Sequence, residues 1–277
     1  MQNVRNTHQD AEKATPLSFA INTRDRNTLT MVEHAVRSRN VMLAYQPVVN
    51  ARRQRKAAFF EGLVRVMDPT GRTIPAREFI TQIETHEIGR IIDCLALELG
   101  LAALETDPKL RLSLNLSARS IGYKRWMRTF EEGMSRTPGL RGRLILEITE
   151  ASAMVMPDIV QAFMADLQST GVLFALDDFG AGHTSFRYLK NFCFDIIKID
   201  GQFVRDVDTD PDNQVLLQAL VDIARHFDMF TVAETVESAQ EAAFLTAIGV
   251  DCLQGYHFGA PALKPQRKIR PMARKAG

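Results

Sequence analysis

The sequence predicts an α/β fold in which a mostly parallel sheet closes into a barrel of alternating strands and helices. Three observations carry this. About eight short apolar runs alternate with helical patterns along the 277 residues, and repeated βα units of this spacing build a parallel sheet. The first two runs are joined only by Asn50-Ala51-Arg52-Arg53-Gln54-Arg55-Lys56. A parallel crossover needs about a dozen residues or more, so this pair is an antiparallel hairpin. No GxGxxG turn follows the first run, which leaves an open doubly wound sheet as the second choice.

The elements follow in order. Residues 1–27 are polar and aperiodic and read as a mobile lead-in or the remnant of a regulatory segment. Thr28 to Arg39 carries Leu29, Val32 and Val36 on one helical stripe. Val41–Val49 and Ala57–Val66 are the hairpin strands, and Phe59, Glu61, Leu63 and Arg65 share a face by the period of two. Asp68-Pro69-Thr70-Gly71 is a turn. Ala76 to Leu104 is helical and broken near Gly89. Arg111–Ser117 is the third strand, followed by a helix around Tyr123–Gly133. Arg143–Glu150 is the fourth strand, and Pro157–Ser169 is helical with proline in its first turn. The fifth strand ends in Asp177-Asp178, and a short helix from Ser185 to Lys190 leads to the sixth, Asp195–Asp200. Asp212–Phe227 is helical, Phe230–Val236 is the seventh strand, Ala239–Ile248 is helical, and Asp251–Tyr256 is the eighth strand. Residues 28–263 form the domain, and 264–277 a basic, solvated tail.

Composition excludes several classes. The formal net charge of +1 gives no whole-chain field for DNA or a membrane surface. Cys94, Cys193 and Cys252 are far apart and odd in number, which argues against a disulfide framework and for a reducing cytoplasm. No apolar run reaches the roughly 18 residues of a membrane span, and no signal-peptide core opens the chain. The scattered histidines lack HExxH spacing, so structural zinc is not expected.

The chemistry concentrates at strand ends. Leu176-Asp177-Asp178-Phe179-Gly180-Ala181-Gly182-His183 places two adjacent carboxylates before a glycine loop. Such a pair repels unless a cation lies between. Glu61, Asn115, Glu147, Lys198, Glu234 and Gln254 fall within or at the ends of other strands. In a parallel barrel the C-terminal strand ends form one mouth, so these groups converge. Carboxylate and carboxamide oxygens suit Mg²⁺ or Mn²⁺ rather than zinc. A pair of ions about 3.5–4 Å apart would clamp the attacking and leaving oxygens of a phosphoester. Each residue also has a purely structural reading: a Glu61–Arg65 ion pair, a turn at Asn115, a barrel salt bridge at Lys198, helix-start acids at Glu234 and Glu237. Taken jointly these require one strand end after another to bury a charge by accident.

With these residues in view, the chain resembles the EAL-domain family of bacterial cyclic di-GMP phosphodiesterases, from about Leu29 to Pro261. Carrying the resemblance are Tyr45-Gln46-Pro47, Glu61-Gly62-Leu63-Val64-Arg65, Pro75 with Phe79-Ile80, Asn115-Leu116-Ser117, Glu147-Ile148-Thr149-Glu150, Asp177-Asp178-Phe179-Gly180, Lys198-Ile199-Asp200, Ala233-Glu234 with Glu237, and Gln254-Gly255-Tyr256.

The resemblance implies a modified TIM-like (β/α)8 barrel with one antiparallel strand. It implies two Mg²⁺ or Mn²⁺ ions. Glu61, Asn115, Glu147 and Asp177 would bind one, with Asp177 bridging to a second beside Asp178 and Glu234. Lys198 would orient the attacking water. Glu61, Lys198, Glu234 and Asp177 would be the catalytic set, and Arg65, Gln46, Leu63, Glu237 and Gln254 would meet the substrate. Phe179, Gly180, Gly182 and Ser185 would form a loop coupled to dimer formation, held by Glu150. The reaction would be hydrolysis of cyclic di-GMP to linear pGpG, in a homodimer that answers to a regulatory partner. Departures are Gly62 where alanine is usual, which adds backbone freedom, His183 and Thr184 in the loop, and Ile83 before Glu84. None removes an expected ligand. The competing readings are a non-catalytic cyclic di-GMP receptor and an unrelated barrel metallohydrolase.

Overall fold

In a computed structural model, the structure describes residues 16–181 and 189–271. The strands are β1 Val41–Asn50, β2 Arg53–Met67, β3 Thr73–Pro75, β4 Leu112–Asn115, β5 Leu144–Thr149, β6 Leu173–Phe179, β7 Ile196–Ile199, β8 Phe230–Ala233 and β9 Cys252–Gln254. The helices are α1 Pro16–Arg37, α2 Ile80–Ile83, α3 Glu87–Thr106, α4 Lys124–Arg136, α5 Glu150–Val155, α6 Pro157–Ser169, α7 Gly201–Val204, α8 Pro211–His226 and α9 Ala239–Ile248.

The sheet runs β1-β9-β8-β7-β6-β5-β4-β2-β3, and a further β1–β2 pairing closes it into a barrel with β3 outside. Strand β1 is antiparallel to both neighbours, as the short hairpin link requires. From β2 through β4 to β9 the neighbours are parallel. The fold is therefore the modified (β/α)8 barrel, not the open sheet.

Some boundaries differ from expectation. Helix α1 starts at Pro16, upstream of Thr28. The helical break expected near Gly89 falls at residues 84–86, with His86 extended. Gly89 lies in the first turn of α3. A Cβ there would sit 2.8 Å from the Ile83 carbonyl oxygen, so glycine lets α3 start against the end of α2. Strand β3 was not foreseen because three residues show no periodicity. The tail, expected to be solvated from Lys264, is docked at residue 269: Ile269 is buried and its N–H donates to the Arg55 carbonyl at 3.2 Å. The 185–190 helix falls mostly outside the described residues.

The barrel interior alternates with the pleat. Val48, Phe59, Ile145, Ala175, Ile196 and Val232 form one apolar cluster inside it. Two residues nearer the mouth on the same strands stand Gln46, Glu61, Glu147, Asp177, Lys198 and Glu234. Cys252 packs on the plug, with Gln254 two residues above it. An apolar plug thus supports a polar layer. The outer core packs strands on helices around Trp126, Phe163 and Phe174, which meet edge to face.

Two glycines matter to this frame. At Gly62, Leu114 Cδ2 already lies 2.8 Å from where a Cβ would stand. The residue is paired in the ladder between Tyr45 and Leu114, and a leucine fills the space that an alanine methyl would take. At Gly255 a Cβ would lie 2.0 Å from the Val236 carbonyl oxygen and 2.3 Å from its nitrogen. Backbone cannot yield as a side-chain tip does. Gly255→Ala is expected to lower the unfolding free energy by about 3 kcal/mol, read from the urea midpoint. An unchanged midpoint would show that the segments separate freely.

Candidate active site

The site begins with a defect in β6. Adjacent strand residues point to opposite faces, so Asp177 and Asp178 in a regular strand could not share one mouth. Between Leu176 and Phe179 the pairing with β7 slips: Leu176 pairs Ile197, and Phe179 pairs Ile199. The extra residue forms a bulge, with Asp178 in the left-handed region at φ 55°. One carboxylate oxygen each from Asp177, Asp178 and Glu234 then lies within 4.8 Å of the others. Gly180 follows at φ 92°, where a Cβ would run into the ring of Phe203 at 2.4 Å. Phe179 is buried and anchors the strand end. The Gly180 N–H donates to Glu150 Oε2 at 3.1 Å, the contact expected of Glu150. Gly182, His183, Thr184 and Ser185 lie outside the described residues.

Lys198 stands at the centre, 1% exposed. Its Nζ is 2.8 Å from Glu234, 2.9 Å from both Glu147 and Asp177, and 3.7 Å from Glu61. Burial alone would lower the Lys198 pKa, but these four carboxylates raise it well above the usual lysine value. One positive charge cannot serve all four acids. Burial pushes Glu147 well above the carboxylate range, with Lys198 opposing it and Glu61 and Asp177 adding to it. Burial also pushes Glu234 up to about 8. Asp178 rises to about 6, through burial and then through Asp177. Glu61 ends below its ordinary value: burial raises it, but Lys198 and the amides of Gln254 and Asn115 outweigh that.

The amides hold Glu61 in place. Asn115 Nδ2 donates to Oε1 at 2.9 Å and Gln254 Nε2 to Oε2 at 2.5 Å. Gln254 also donates to Gln46 Oε1 at 3.3 Å, and Gln46 Nε2 donates to the Gly259 carbonyl at 3.4 Å. A cleft of about 250 Å³ lined by Gln46, Glu61, Glu234, Thr235, Glu237, Gln254, Gly255 and Tyr256 opens onto the group.

The donor set fits divalent cations. Glu147 Oε1 is buried with no hydrogen-bond partner. Asp177 Oδ1 also lacks one despite its nearness to Lys198 Nζ, because the two are not aligned for a bond. Unsatisfied buried carboxylate oxygens are costly unless something positive approaches. Asp177, Asp178 and Glu234, with one oxygen each within 4.8 Å of the others, would hold a hard divalent cation.

Of the expected residues, Glu61, Asn115, Glu147, Asp177, Asp178, Lys198, Glu234, Gln46 and Gln254 are brought together, and Glu237 lines the cleft. Leu63 and Arg65 lie further along β2. Arg65 forms no ion pair with Glu61 among the described residues; its Nη1 donates to the Val64 carbonyl at 2.9 Å.

Three further features escaped the sequence reading. Arg77 Nη1 donates to Tyr256 Oη at 3.3 Å, linking the turn after β3 to the cleft rim. Thr235, beside Glu234, has φ 58°, a strained conformation for a β-branched residue. Asp93 on α3 accepts from the Ser120 hydroxyl at 2.6 Å and the Ser117 N–H at 3.2 Å. That braces the loop after Asn115, and burial pushes Asp93 up to about 7. No spacing signal marks these residues; only Tyr256, next to Gln254-Gly255, had a sequence cue.

Comparison with known proteins agrees with this geometry. The family profile of the EAL domain matches residues 30–261. The probable cyclic di-GMP phosphodiesterase PdeN of Escherichia coli is 28% identical over 232 residues, covering 82% of this chain and 44% of PdeN. The chain spans less than half the length of this and several other curated relatives it matches. The PaMucR phosphodiesterase in complex with c-di-GMP superposes with a TM-score of 0.77 at 28% identity, over 85% of this chain and 97% of that one. The c-di-GMP-bound EAL domain of FimX from Pseudomonas aeruginosa shares the fold, with a TM-score of 0.80 at 23% identity, over 87% and 99%. The profile match over most of the sequence, on a barrel whose mouth gathers these acids, places the chain in the EAL domain family.

Proposed function

We propose that the chain hydrolyses one phosphodiester of cyclic di-GMP to linear pGpG, using two Mg²⁺ or Mn²⁺ ions. The observation that carries this is the group of four carboxylates around Lys198 at the barrel mouth. The names of PdeN and of the PaMucR complex support the substrate. Glu61, Asn115, Glu147 and Asp177 would hold one cation, and Asp177, Asp178 and Glu234 the other. Bound there, the ions would supply Lewis acidity and lower the pKa of a water. Lys198, with its charge held firmly on, would turn a donor to the attacking water once bound cations share the carboxylates that it now contacts. Gln254 and Gln46 fix Glu61. Glu237 and Leu63 border the nucleobase and Arg65 meets a phosphate, for which a guanidinium fork is suited.

The assay is incubation with cyclic di-GMP and Mg²⁺ or Mn²⁺, with product followed by chromatography. No cleavage at micromolar enzyme overturns the reading. A cyclic di-GMP receptor is the second reading. It is favoured by Lys198, which neutralises part of the carboxylate group without any metal; metal-independent binding with no turnover would select it.

Arg77 adds to this site. Burial and then the charge of Arg77 lower the Arg65 pKa, so the two guanidiniums feel each other. Neither forms an ion pair among the described residues. A substrate phosphate between them relieves the repulsion. Arg77→Ala is expected to raise KM by about tenfold with kcat within about twofold, the signature of lost uniform binding. A kcat defect at unchanged KM would contradict it.

A homodimer would use the apolar surface beside the Glu150–Gly180 contact, where Val155 is 73% and Ile159 52% exposed. The three cysteines are free, in keeping with a cytoplasmic setting. No helix among the described residues is long and apolar enough to cross a membrane. The regulatory partner is one that reads or sets that dimer face.

A further inference from the structure

The opposite end of the barrel carries a second cavity. It measures about 380 Å³ and is lined by Lys56, Lys109, Arg111 and Arg267 around Phe59 and Phe60, with Ala57 and Ala58 between them. The docked tail closes one side of it. Lys56 bridges to Lys268, Ile269 donates to the Arg55 carbonyl, and the Ile269 side chain is buried. This seats Arg267 over the cavity, paired with Asp107. Arg111 is also held, its Nε donating to the Gly142 carbonyl at 3.0 Å. Lys56, Lys109 and Arg111 form no ion pair among the described residues.

Three uncompensated cations and one paired one therefore face a single hollow, in a chain whose net charge is only +1. Like charges gathered this way around a hollow repel one another and favour an anion between them. The volume is within the range of about 300–1,000 Å³ usual for small-molecule sites. A rim of four cations suits a ligand that carries several phosphate oxygens.

We propose that this cavity binds a small phosphate-bearing anion, at a site separate from the carboxylate mouth. Calorimetry on the full chain, in chelator, with inorganic tripolyphosphate as probe is the test. The expected result is saturable one-to-one binding, weakened at least about tenfold in the Lys56→Glu/Lys109→Glu double variant through loss of charge-assisted bonds. Lys109→Ala alone should show a smaller loss, and Asp177→Asn none. No saturation at millimolar probe overturns the proposal, as does unchanged affinity in the double variant with a native circular dichroism spectrum. Displacement of the probe by cyclic di-GMP would assign it to the mouth instead. Binding to phosphatidylglycerol vesicles without binding of soluble tripolyphosphate would make the patch a lipid surface and also overturn it.

Discussion

Asparagine in place of Asp177 is expected to cut cyclic di-GMP turnover by at least about 10³-fold, the scale on which charge-stabilising groups act. The Asp177 carboxylate is the one member common to both proposed ion sites. One of its oxygens lies 2.9 Å from Lys198 Nζ, and an oxygen of it falls within the 4.8 Å cluster with Asp178 and Glu234. An amide of the same size keeps the packing above Ala175 but carries no charge and offers only one oxygen. The fold should survive, because removing one of four crowded acids relieves as much repulsion as it loses attraction; the unfolding free energy should stay within about 1 kcal/mol. Single-turnover product analysis beside circular dichroism separates the two effects. A variant that keeps more than about a tenth of wild-type turnover (a loss of under roughly 1.4 kcal/mol in barrier) would remove Asp177 from the chemistry.

The fold was legible because its signals are local. Helices α6 and α9 with boundaries as expected, strands β5 and β7 within one residue of theirs, and an antiparallel hairpin all follow from periodicity and linker length, whereas β2 begins four residues before Ala57 and β8 stops three before Val236. Convergence of Glu61, Glu147, Lys198 and Gln254 was legible for the same reason: parallel strands put their ends together. What stayed hidden depends on contacts between distant segments. The bulge that brings Asp178 round to Asp177 exists because β6 slips against β7, and nothing in either strand alone announces it. Arg77 sits in a turn of ordinary composition and acquires meaning only beside Tyr256. The tail looked solvated because Ile269 is a single apolar residue among prolines and cations, too little for a pattern. Its burial is set by the Arg55 edge of β2.

Removing the ammonium at the centre gives the largest expected effect on stability. In Lys198→Met, Glu61, Glu147, Asp177 and Glu234 face one another with no countercharge. Breaking a buried charge network from one side costs about 3–5 kcal/mol. The sign of the pH dependence follows from linkage. In the wild type, burial raises folded Glu234 to about 8 from 4.5. The folded state therefore holds a proton that the unfolded state has released, and stability in chelator falls as pH rises across that window. Lys198 adds no slope there, since its folded pKa lies above 10.5 and it is charged in both states. In the methionine variant the carboxylates lose the charge that held their pKa values down, so more protons are retained and the fall is steeper. Urea unfolding in EDTA at about pH 5 and about pH 8 should show the variant near wild type at the lower pH and several kcal/mol weaker at the higher. Millimolar Mn²⁺ should recover much of the difference, because cation binding displaces those protons. Equal stability of the two proteins in EDTA at the higher pH would mean that water, not Lys198, already screens the four acids, and the account of a dry, charge-starved mouth would fall with it.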